Sequence, residues 1–285
     1  KVGPRFIPKI LGNIAAANIA IDYNIQGPSF TVSTACSSGG DAINTACMCM
    51  QSGKADIMLA VGAESVLCPL VIYSLANAKA LSRRNDSPST ASRPFDVTRD
   101  GFVIGEGGGA LVLETEEHAL ARGAKIYAEI RGCGNTDDAY HVTAPHPEGR
   151  GAIACMKQAI AEAGINPSDI GYINAHGTAT NKGDTVETSS IKKVFGNTLP
   201  YVSSTKGATG HMMGAGGITE TITCVKAIET GTVPPTINLN EVDPECAGID
   251  FVANTAKKAE INFAMSNAFG FGGQNSSIIV GKYGK

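Results

Sequence analysis

Cys36 is the residue whose neighbours best suit nucleophilic chemistry. It lies in TVSTACSSGG, between a predicted buried strand at residues 30–34 and a predicted helix at residues 41–51. A thiol at such a strand-to-helix elbow is close to the unpaired backbone N–H groups of the helix, whose partial positive charge favours the thiolate. A buried cysteine can also be an inert part of the core. The elbow by itself leaves both interpretations open.

Three further stretches supply groups that a thioester reaction needs. They are AHGTAT at 175–180, STKGATGH at 204–211 and NAFGFGG at 267–273. Each follows a predicted strand, at the edge where open α/β sheets bind ligands. A neutral His176 or His211 can donate a hydrogen bond to a developing oxyanion or take a proton. Convergence of these stretches on one sulfur would therefore predict acyl transfer.

The same residues also have structural interpretations. A single histidine beside a turn is more often structural than catalytic, and phenylalanines commonly pack in a core. The structural alternatives are a turn cap for His176, a position next to a helix N-cap for His211, core packing for Phe269 and Phe271, and an ion pair of Lys206 with Asp184 or Glu187.

The hydrophobic pattern alternates between helical and extended segments, which predicts an α/β fold. The predicted strand at 30–34, the predicted helix at 41–51 and the predicted strand at 56–62 would form a right-handed parallel crossover. SNAFGFGG repeats the small residues of STACSSGG and suggests two similar halves. GEGGGALVLE leads into a strand rather than a helix, so its glycines indicate close backbone approach and not a dinucleotide site. The predicted helices cover 7–23, 41–51, 71–81, 151–163, 184–195 and 218–229, and the predicted strands cover 30–34, 56–62, 126–132, 170–175, 201–205, 251–253 and 276–280.

The composition narrows the class of protein. The 285 residues are 43% hydrophobic with a formal net charge of -3, which allows a large core and argues against a general nucleic-acid binder. No apolar run is long enough to span a bilayer, and the first residues do not resemble a signal peptide. The eight cysteines have no C-x-x-C spacing, so neither a zinc site nor a disulfide framework is indicated. We expect a cytoplasmic protein, with an organelle as the open alternative.

Four motifs in this order resemble the β-ketoacyl-acyl-carrier-protein synthases of type II fatty acid synthesis, in particular the synthase II subgroup: TACSSG, NAHGTAT, STKGATGH and SNAFGFGG. RDGFVIGEGGGALVLE, DAYHVTAP and PPTINL also fit, so the resemblance covers the whole chain. It implies a thiolase-like layered α/β/α/β/α fold with two pseudo-repeated halves, here at 1–123 and 124–285. It also implies that the N-terminal half is incomplete, since family members carry a further portion before the stretch equivalent to Lys1.

The resemblance assigns a role to each site residue. Cys36 would accept the acyl chain from the carrier's thioester, and His176 and His211 would hold the malonyl carbonyl during decarboxylation. Lys206 would order the histidines, and Phe271 would supply an oxyanion-hole N–H and gate substrate entry beside Phe269. The remaining implied roles are phosphopantetheine contact for Thr143, Thr178 and Thr180, support for Asp184 and Glu187, and, in some relatives, a monovalent cation site for Asn174, Glu187, Glu220, Ser266 and Asn267.

The implied reaction is the decarboxylative Claisen condensation of a Cys-bound acyl chain with malonyl-acyl-carrier protein, as in fatty acid elongation. A polyketide ketosynthase would share the same catalytic residues, a non-catalytic partner subunit would lack the nucleophile, and a thiolase would carry a second cysteine near the final glycine-rich loop. The expected partners are an acyl carrier protein and a second copy of the chain paired through residues 30–34, with no nucleic acid, no membrane and no required metal or cofactor. Lys1, Arg5 and Lys79 are candidate carrier contacts.

Overall fold

The computed structural model describes residues 3–4 and 6–285, so that Lys1 and Arg5, two of the candidate carrier contacts, lie outside the described residues. The helices are α1 (Phe6–Ile10), α2 (Ile14–Tyr23), α3 (Ser38–Gln51), α4 (Pro69–Asn77), α5 (Glu116–Ala121), α6 (Arg150–Ala163), α7 (Asn181–Phe195), α8 (Lys206–Thr209) and α9 (Gly216–Thr230). The strands are β1 (Ile57–Glu64), β2 (Gly107–Glu114), β3 (Glu129–Asp137), β4 (Ile170–Asn174), β5 (Tyr201–Ser203), β6 (Thr232–Val233), β7 (Lys257–Lys258), β8 (Phe263–Phe269) and β9 (Gln274–Gly281).

The larger sheet has five strands in the order β3-β9-β8-β4-β5. β4 runs parallel to β5 and β8, whereas β9 runs antiparallel to β8 and β3. Ile278, Ile279 and Val280 of β9 are almost completely buried, as expected for a sheet that is covered on both faces. Gly132 and Gly134 let α6 pack tightly on β3, because a Cβ at either position would collide with backbone carbonyls of α6.

A smaller antiparallel sheet of β1 and β2 lies on the other side of α3 and α9. The layers therefore run from α6 and α7 through the five-stranded sheet to α3 and α9, and then to β1 and β2. Within the described residues, the far face of the small sheet is exposed at Ile57, Leu59 and Val112. None of the helices in residues 3–4 and 6–285 combines the length and the apolar character needed to cross a lipid bilayer.

Several elements differ from the sequence-based prediction. Residues 30–34 are not a strand, because no backbone among residues 3–4 and 6–285 pairs with this mostly exposed segment. The predicted parallel crossover is therefore wrong. The predicted helix at 7–23 is divided into α1 and α2 around Gly12, a residue that favours helix ends. The predicted strand at 251–253 makes only isolated bridges. β8 takes up the first part of the predicted loop at 267–273.

Two turns of the chain share one geometry, and we call them the first elbow (residues 35–40) and the second elbow (residues 213–217). Each is a 3₁₀ turn, at Ala35–Ser37 and Met213–Ala215, which leads directly into α3 or α9. Ala35 (φ 51°) and Met213 (φ 43°) both adopt the left-handed backbone conformation, which is uncommon outside glycine. The predicted echo of STACSSGG in SNAFGFGG is therefore wrong, since that stretch forms the end of β8 and the turn into β9.

Candidate active site

The first elbow holds Cys36 at the start of α3 through a buried carboxylate. Asp41, in the first turn of α3, accepts hydrogen bonds from Thr34 Oγ1 at 2.5 Å and Ser37 Oγ at 3.1 Å. It also accepts one from Asn135 Nδ2 of β3 at 2.6 Å. Three donors on one buried carboxylate fix the turn and its distance from the larger sheet. Cys36 itself is only 7% exposed.

Close packing of the two elbows brings His211 to the sulfur. A Cβ at Gly39 would lie 2.6 Å from Ile218 N and 3.1 Å from Gly217 Cα. Only glycine therefore allows the starts of α3 and α9 to approach this closely. His211, which precedes the second elbow, thereby places its Nε2 atom 3.0 Å from Cys36 Sγ.

The backbone of His211 is fixed from both sides. Its N–H donates to Val103 O at 2.7 Å, and its carbonyl accepts from Gly105 N at 2.9 Å. A Cβ at Gly105 would lie 2.5 Å from Thr209 O, so this glycine of GEGGG serves close backbone approach, as the sequence predicts. The ring of Phe102 packs edge-on against the imidazole, with centroids 5.3 Å apart. These contacts leave His211 little freedom to move away from the sulfur.

His176 follows β4 and lies beside His211. The two imidazole centroids are 5.3 Å apart and their planes are nearly perpendicular. The backbone N–H groups of His176 and Gly177 each donate to a different carboxylate oxygen of Glu187, both at 2.8 Å. Glu187 therefore holds the backbone of this loop rather than the imidazole ring. Nδ1 of both histidines has no hydrogen-bond partner among the described protein atoms.

Burial keeps the groups at the centre of the site neutral. It raises the pKa of Cys36 to about 11, although the backbone N–H of Phe271 and the charge of Lys206 oppose this shift. Burial, followed by the charge of Lys206, lowers the pKa of His176 and His211 well below the ordinary value. The resting pair is thus a thiol beside a neutral imidazole. The predicted thiolate is wrong for this resting state, because lost hydration outweighs the partial charge of the helix N–H groups.

Lys206 is buried behind the histidines and forms an ion pair with Glu220. The partners considered from the sequence are engaged elsewhere: Glu187 binds two backbone N–H groups, and Asp184 lies 3.5 Å from the guanidinium of Arg99. The predicted ion pair with Asp184 or Glu187 is therefore wrong. The charge of Lys206 still acts on the site, because it lowers the pKa of both histidines.

The turn after β8 brings Phe269 and Phe271 to the sulfur. The rings of Phe269 and His176 have centroids 5.9 Å apart. Phe271 is 39% exposed, and its backbone N–H acts to lower the pKa of the Cys36 thiol. A Cβ at Gly270 would lie 3.2 Å from Cys36 N, so the turn packs directly against the first elbow. Phe269 is thus part of the inner wall, and the Phe271 side chain reaches solvent.

A cavity of about 1140 Å³ connects these groups. Thr143, Thr178 and Thr180 all line it, and the hydroxyl oxygens of Thr178 and Thr180 are 3.1 Å apart. The exposed Lys79, the third candidate carrier contact, lies on its wall as well. The structure therefore brings the predicted arm-binding residues to the cavity that reaches the sulfur. The same cavity is lined by Cys36, His176, His211, Phe269 and Phe271.

The residues of the predicted cation site lie behind the histidines. Strand pairing places Asn174 of β4 beside Ser266, which precedes Asn267 in β8. Asn174 Oδ1 and Glu220 Oε2 are buried oxygens with no hydrogen-bond partner among the described residues. Buried oxygens of this kind are ligands that hard cations prefer, so the donor types fit a monovalent cation. In the described part of the chain, no group of three or more His, Cys, Asp or Glu side chains could hold a metal ion.

Three residues that shape the site are absent from the sequence-based prediction. Asp41 fixes the first elbow, Phe102 packs on His211, and Ser92 Oγ donates to Lys206 O at 2.6 Å. An acidic residue in the first turn of a helix is a recognisable signal, but it indicates a helix start and says nothing about a turn outside the helix. Phe102 and Ser92 lie in irregular segments, where no periodicity shows which way a side chain points.

Two family models match the chain: the beta-ketoacyl synthase N-terminal domain at residues 1–119 and the beta-ketoacyl synthase C-terminal domain at residues 127–240. A 3-oxoacyl-[acyl-carrier-protein] synthase 2 of Rhizobium meliloti (strain 1021) is 48% identical over 286 residues, covering 99% of this chain and 68% of that protein. A mitochondrial 3-oxoacyl-[acyl-carrier-protein] synthase of Arabidopsis thaliana is 46% identical, covering 98% of this chain and 62% of that protein.

Solved structures show the same fold. A ketosynthase bound to a hexaketide, in complex with its type II polyketide acyl-carrier protein, matches with a TM-score of 0.96 at 37% identity, covering 99% of this chain and 69% of that one. A beta-ketoacyl synthase from Burkholderia phymatum STM815 matches with a TM-score of 0.91 at 38% identity, covering 95% of this chain and 65% of that one. The predicted thiolase-like α/β fold is confirmed.

Proposed function

Because the chain belongs to the β-ketoacyl synthase family, we propose that it is an elongating condensing enzyme of fatty acid synthesis. It joins an acyl chain held on Cys36 to malonyl-acyl-carrier protein and releases CO₂ and 3-oxoacyl-acyl-carrier protein. The observation that carries the proposal is the 3.0 Å distance between Cys36 Sγ and His211 Nε2, in a cavity that His176 also lines.

The first half-reaction loads the sulfur. The thiol of Cys36 gives its proton to Nε2 of His211 and attacks the carbonyl carbon of the carrier's acyl thioester. Because the Cys36 pKa is raised and the His211 pKa is lowered, this transfer is unfavourable at rest and accompanies the attack. The backbone N–H groups of Cys36 and Phe271 donate to the oxyanion. The C–S bond to the carrier then breaks, and the carrier thiol takes the proton from His211.

The second half-reaction forms the carbon–carbon bond. An imidazole N–H of His176 and one of His211 donate to the malonyl thioester carbonyl, so that the electrons released with CO₂ collect on a stabilised enolate oxygen. The enolate carbon attacks the acyl carbonyl on Cys36, the carbon–sulfur bond breaks, and the Cys36 thiolate takes up one proton from solvent. Neutral imidazoles suit this step, because they stabilise negative charge without first giving up a proton.

The decisive experiment is Cys36→Ala, assayed with acyl and malonyl carrier protein for 3-oxoacyl product. Loss of the nucleophile should lower product formation by at least about a thousandfold. Cys68→Ala is the matched control, because Cys68 is exposed and does not line the cavity. Undiminished product from the Cys36→Ala protein would end the proposal.

A polyketide ketosynthase is the second candidate. A polyketide ketosynthase is among the similar solved structures, at 37% identity. The two functions share one chemistry and differ in the carrier protein that delivers the substrate. Elongation with a fatty acid carrier supports the first candidate, whereas activity only with an aromatic-polyketide carrier favours the second. A non-catalytic partner subunit would make no product with either carrier.

We propose five further properties on the same basis. The protein acts on thioesters of an acyl carrier protein, with Lys79 as a carrier contact at the cavity wall. It forms a homodimer through residues 30–34, which a monomeric mass by light scattering would refute. It works in the cytoplasm, although one relative is named mitochondrial. The chain divides into two halves, at 1–123 and 124–285. A monovalent cation would be held by oxygens of Asn174, Glu187, Glu220, Ser266 and Asn267 and would supply positive charge behind the histidines.

A further inference from the structure

Arg99 is a buried cation that no step of the proposed reaction uses. Its side chain is 1% exposed, in the irregular segment between α4 and β2. Nη1 donates to Asp96 O at 3.0 Å and to Asp243 Oδ2 at 2.5 Å. A guanidinium with this many partners holds the segments around it in a fixed geometry, because its donors lie in one rigid plane.

The other side of the guanidinium reaches the start of α7. Nη2 donates to Asn181 O at 2.9 Å and to Thr185 Oγ1 at 3.1 Å, and Nε donates to Thr180 O at 3.4 Å. Thr180 is the N-cap residue of α7, and its hydroxyl lies on the cavity wall beside that of Thr178. Arg99 therefore binds the backbone that carries one of these two hydroxyls.

Asp184 extends the same network to the residue between the two threonines. It lies 3.5 Å from Arg99 Nε and accepts the backbone N–H of Ala179 at 3.1 Å. The carbonyl of Ala179 accepts from Gly101 N, two residues after Arg99, at 3.0 Å. Ala179 has φ 68°, a conformation that persists in a non-glycine residue only where the surroundings hold it.

We propose that Arg99 is a positioning residue for the carrier's pantetheine arm. It holds Thr180 directly and Ala179 through Asp184 and Gly101, and this fixes the spacing of the Thr178 and Thr180 hydroxyls. The inference rests on the proposed function and on the phosphopantetheine contact that the family resemblance implies for Thr178 and Thr180. Lysine cannot replace this arginine, because a single ammonium cannot reach the carboxylates and the carbonyls together.

The test compares Arg99→Lys with Arg93→Lys. Arg93 is a matched control: it is buried in the same segment and donates to Thr90 O at 2.8 Å and Thr98 Oγ1 at 2.8 Å, but makes no hydrogen bond to α7. Both variants should lower the melting temperature. Only Arg99→Lys should raise KM for carrier-bound substrates, by about tenfold, with kcat changed less than about threefold. Equal effects of the two variants on KM, or a change in kcat alone, would overturn the inference.

A double-mutant cycle separates this inference from the proposed function. Thr180→Val should raise KM in the wild-type background and much less in the Arg99→Lys background, because the hydroxyl is already misplaced there. If Thr178→Val and Thr180→Val leave KM unchanged, the proposed arm contact itself fails. If they raise KM and Arg99→Lys does not, only the inference about Arg99 fails. Asp243→Asn, which removes one anchor of the guanidinium, gives the same readout if Arg99→Lys does not fold.

Discussion

The two elbows follow the same backbone path but contribute differently to the site. The first carries the nucleophile within its 3₁₀ turn and is held by the three hydrogen bonds to Asp41. The second carries no reactive side chain in its turn and is held by Glu64, which accepts Gly214 N at 3.2 Å. Its contribution is to place His211, two residues before the turn, beside Cys36. One turn geometry used twice thus gives two partners that face each other across the α3–α9 contact.

The largest effect is expected where the two elbows touch. A Cβ at Gly217 would collide with the backbone of Gly39 and Gly40, and backbone atoms cannot rotate away. Gly217→Ala should lower the free energy of unfolding by about 3 kcal/mol or more. A Cβ at the neighbouring Gly216, the first residue of α9, would meet only the Glu220 side chain at 3.8 Å, so Gly216→Ala should change stability by less than about 1 kcal/mol. Urea unfolding measures both, and equal values would contradict the close contact.

A smaller effect should distinguish the anchors of the two elbows. Asp41→Asn keeps the shape of the side chain but leaves one of its three donors without an acceptor, which should cost about 1–3 kcal/mol of unfolding free energy. Glu64→Gln affects one hydrogen bond at a half-buried side chain and should cost less than about 1 kcal/mol. A larger loss for Glu64→Gln in equilibrium unfolding would reverse the comparison.

The smallest expected effect concerns the protonation of Cys36, where the two elbows meet. Because burial raises the pKa of Cys36 to about 11, its reactive thiolate fraction should grow with pH throughout the range below that value. Iodoacetamide labelling of Cys36, followed by mass spectrometry, should therefore accelerate about tenfold per pH unit between about pH 8 and 10. That slope corresponds to about 1.4 kcal/mol per unit. A rate independent of pH in this range would instead indicate a thiolate–imidazolium pair.

Most of the site could be predicted because its residues lie in short motifs at the ends of regular elements. Cys36, His176 and His211 each follow or precede an element with clear periodicity, and their roles came from a resemblance carried by four motifs. Four strands of the larger sheet were predictable for the same reason, since they are apolar runs bounded by glycine and polar residues, whereas β8 (Phe263–Phe269) is absent from the prediction. The segment at 82–106 is irregular, so no periodicity in its sequence indicates that the side chains of Arg99 and Phe102 point inward.

What could not be predicted depends on contacts between distant parts of the chain. Residues 30–34 have the composition of a strand but no partner strand in the part of the chain that the structure describes. The sequence pattern of a segment does not show whether another strand lies beside it. The ion pair of Lys206 with Glu220 depends on the rotation of α9 about its axis. The sequence does not show this rotation, so it cannot distinguish Glu220 from Asp184 or Glu187 as the partner. The predicted thiolate of Cys36 was wrong because the sequence shows that the thiol lies at a helix start but does not show how much hydration the thiol loses on burial.

The position of β9 has a consequence for biosynthesis. Residues 274–281 lie between β3 and β8 in the larger sheet, although they are the last strand of that sheet to be translated. Until they emerge from the ribosome, a nascent chain presents β3 and β8 with unsatisfied edges, a state that invites mispairing. We expect ribosome-stalled chains that stop before residue 274 to depend on chaperones and to have no functional site, however well their helices have formed.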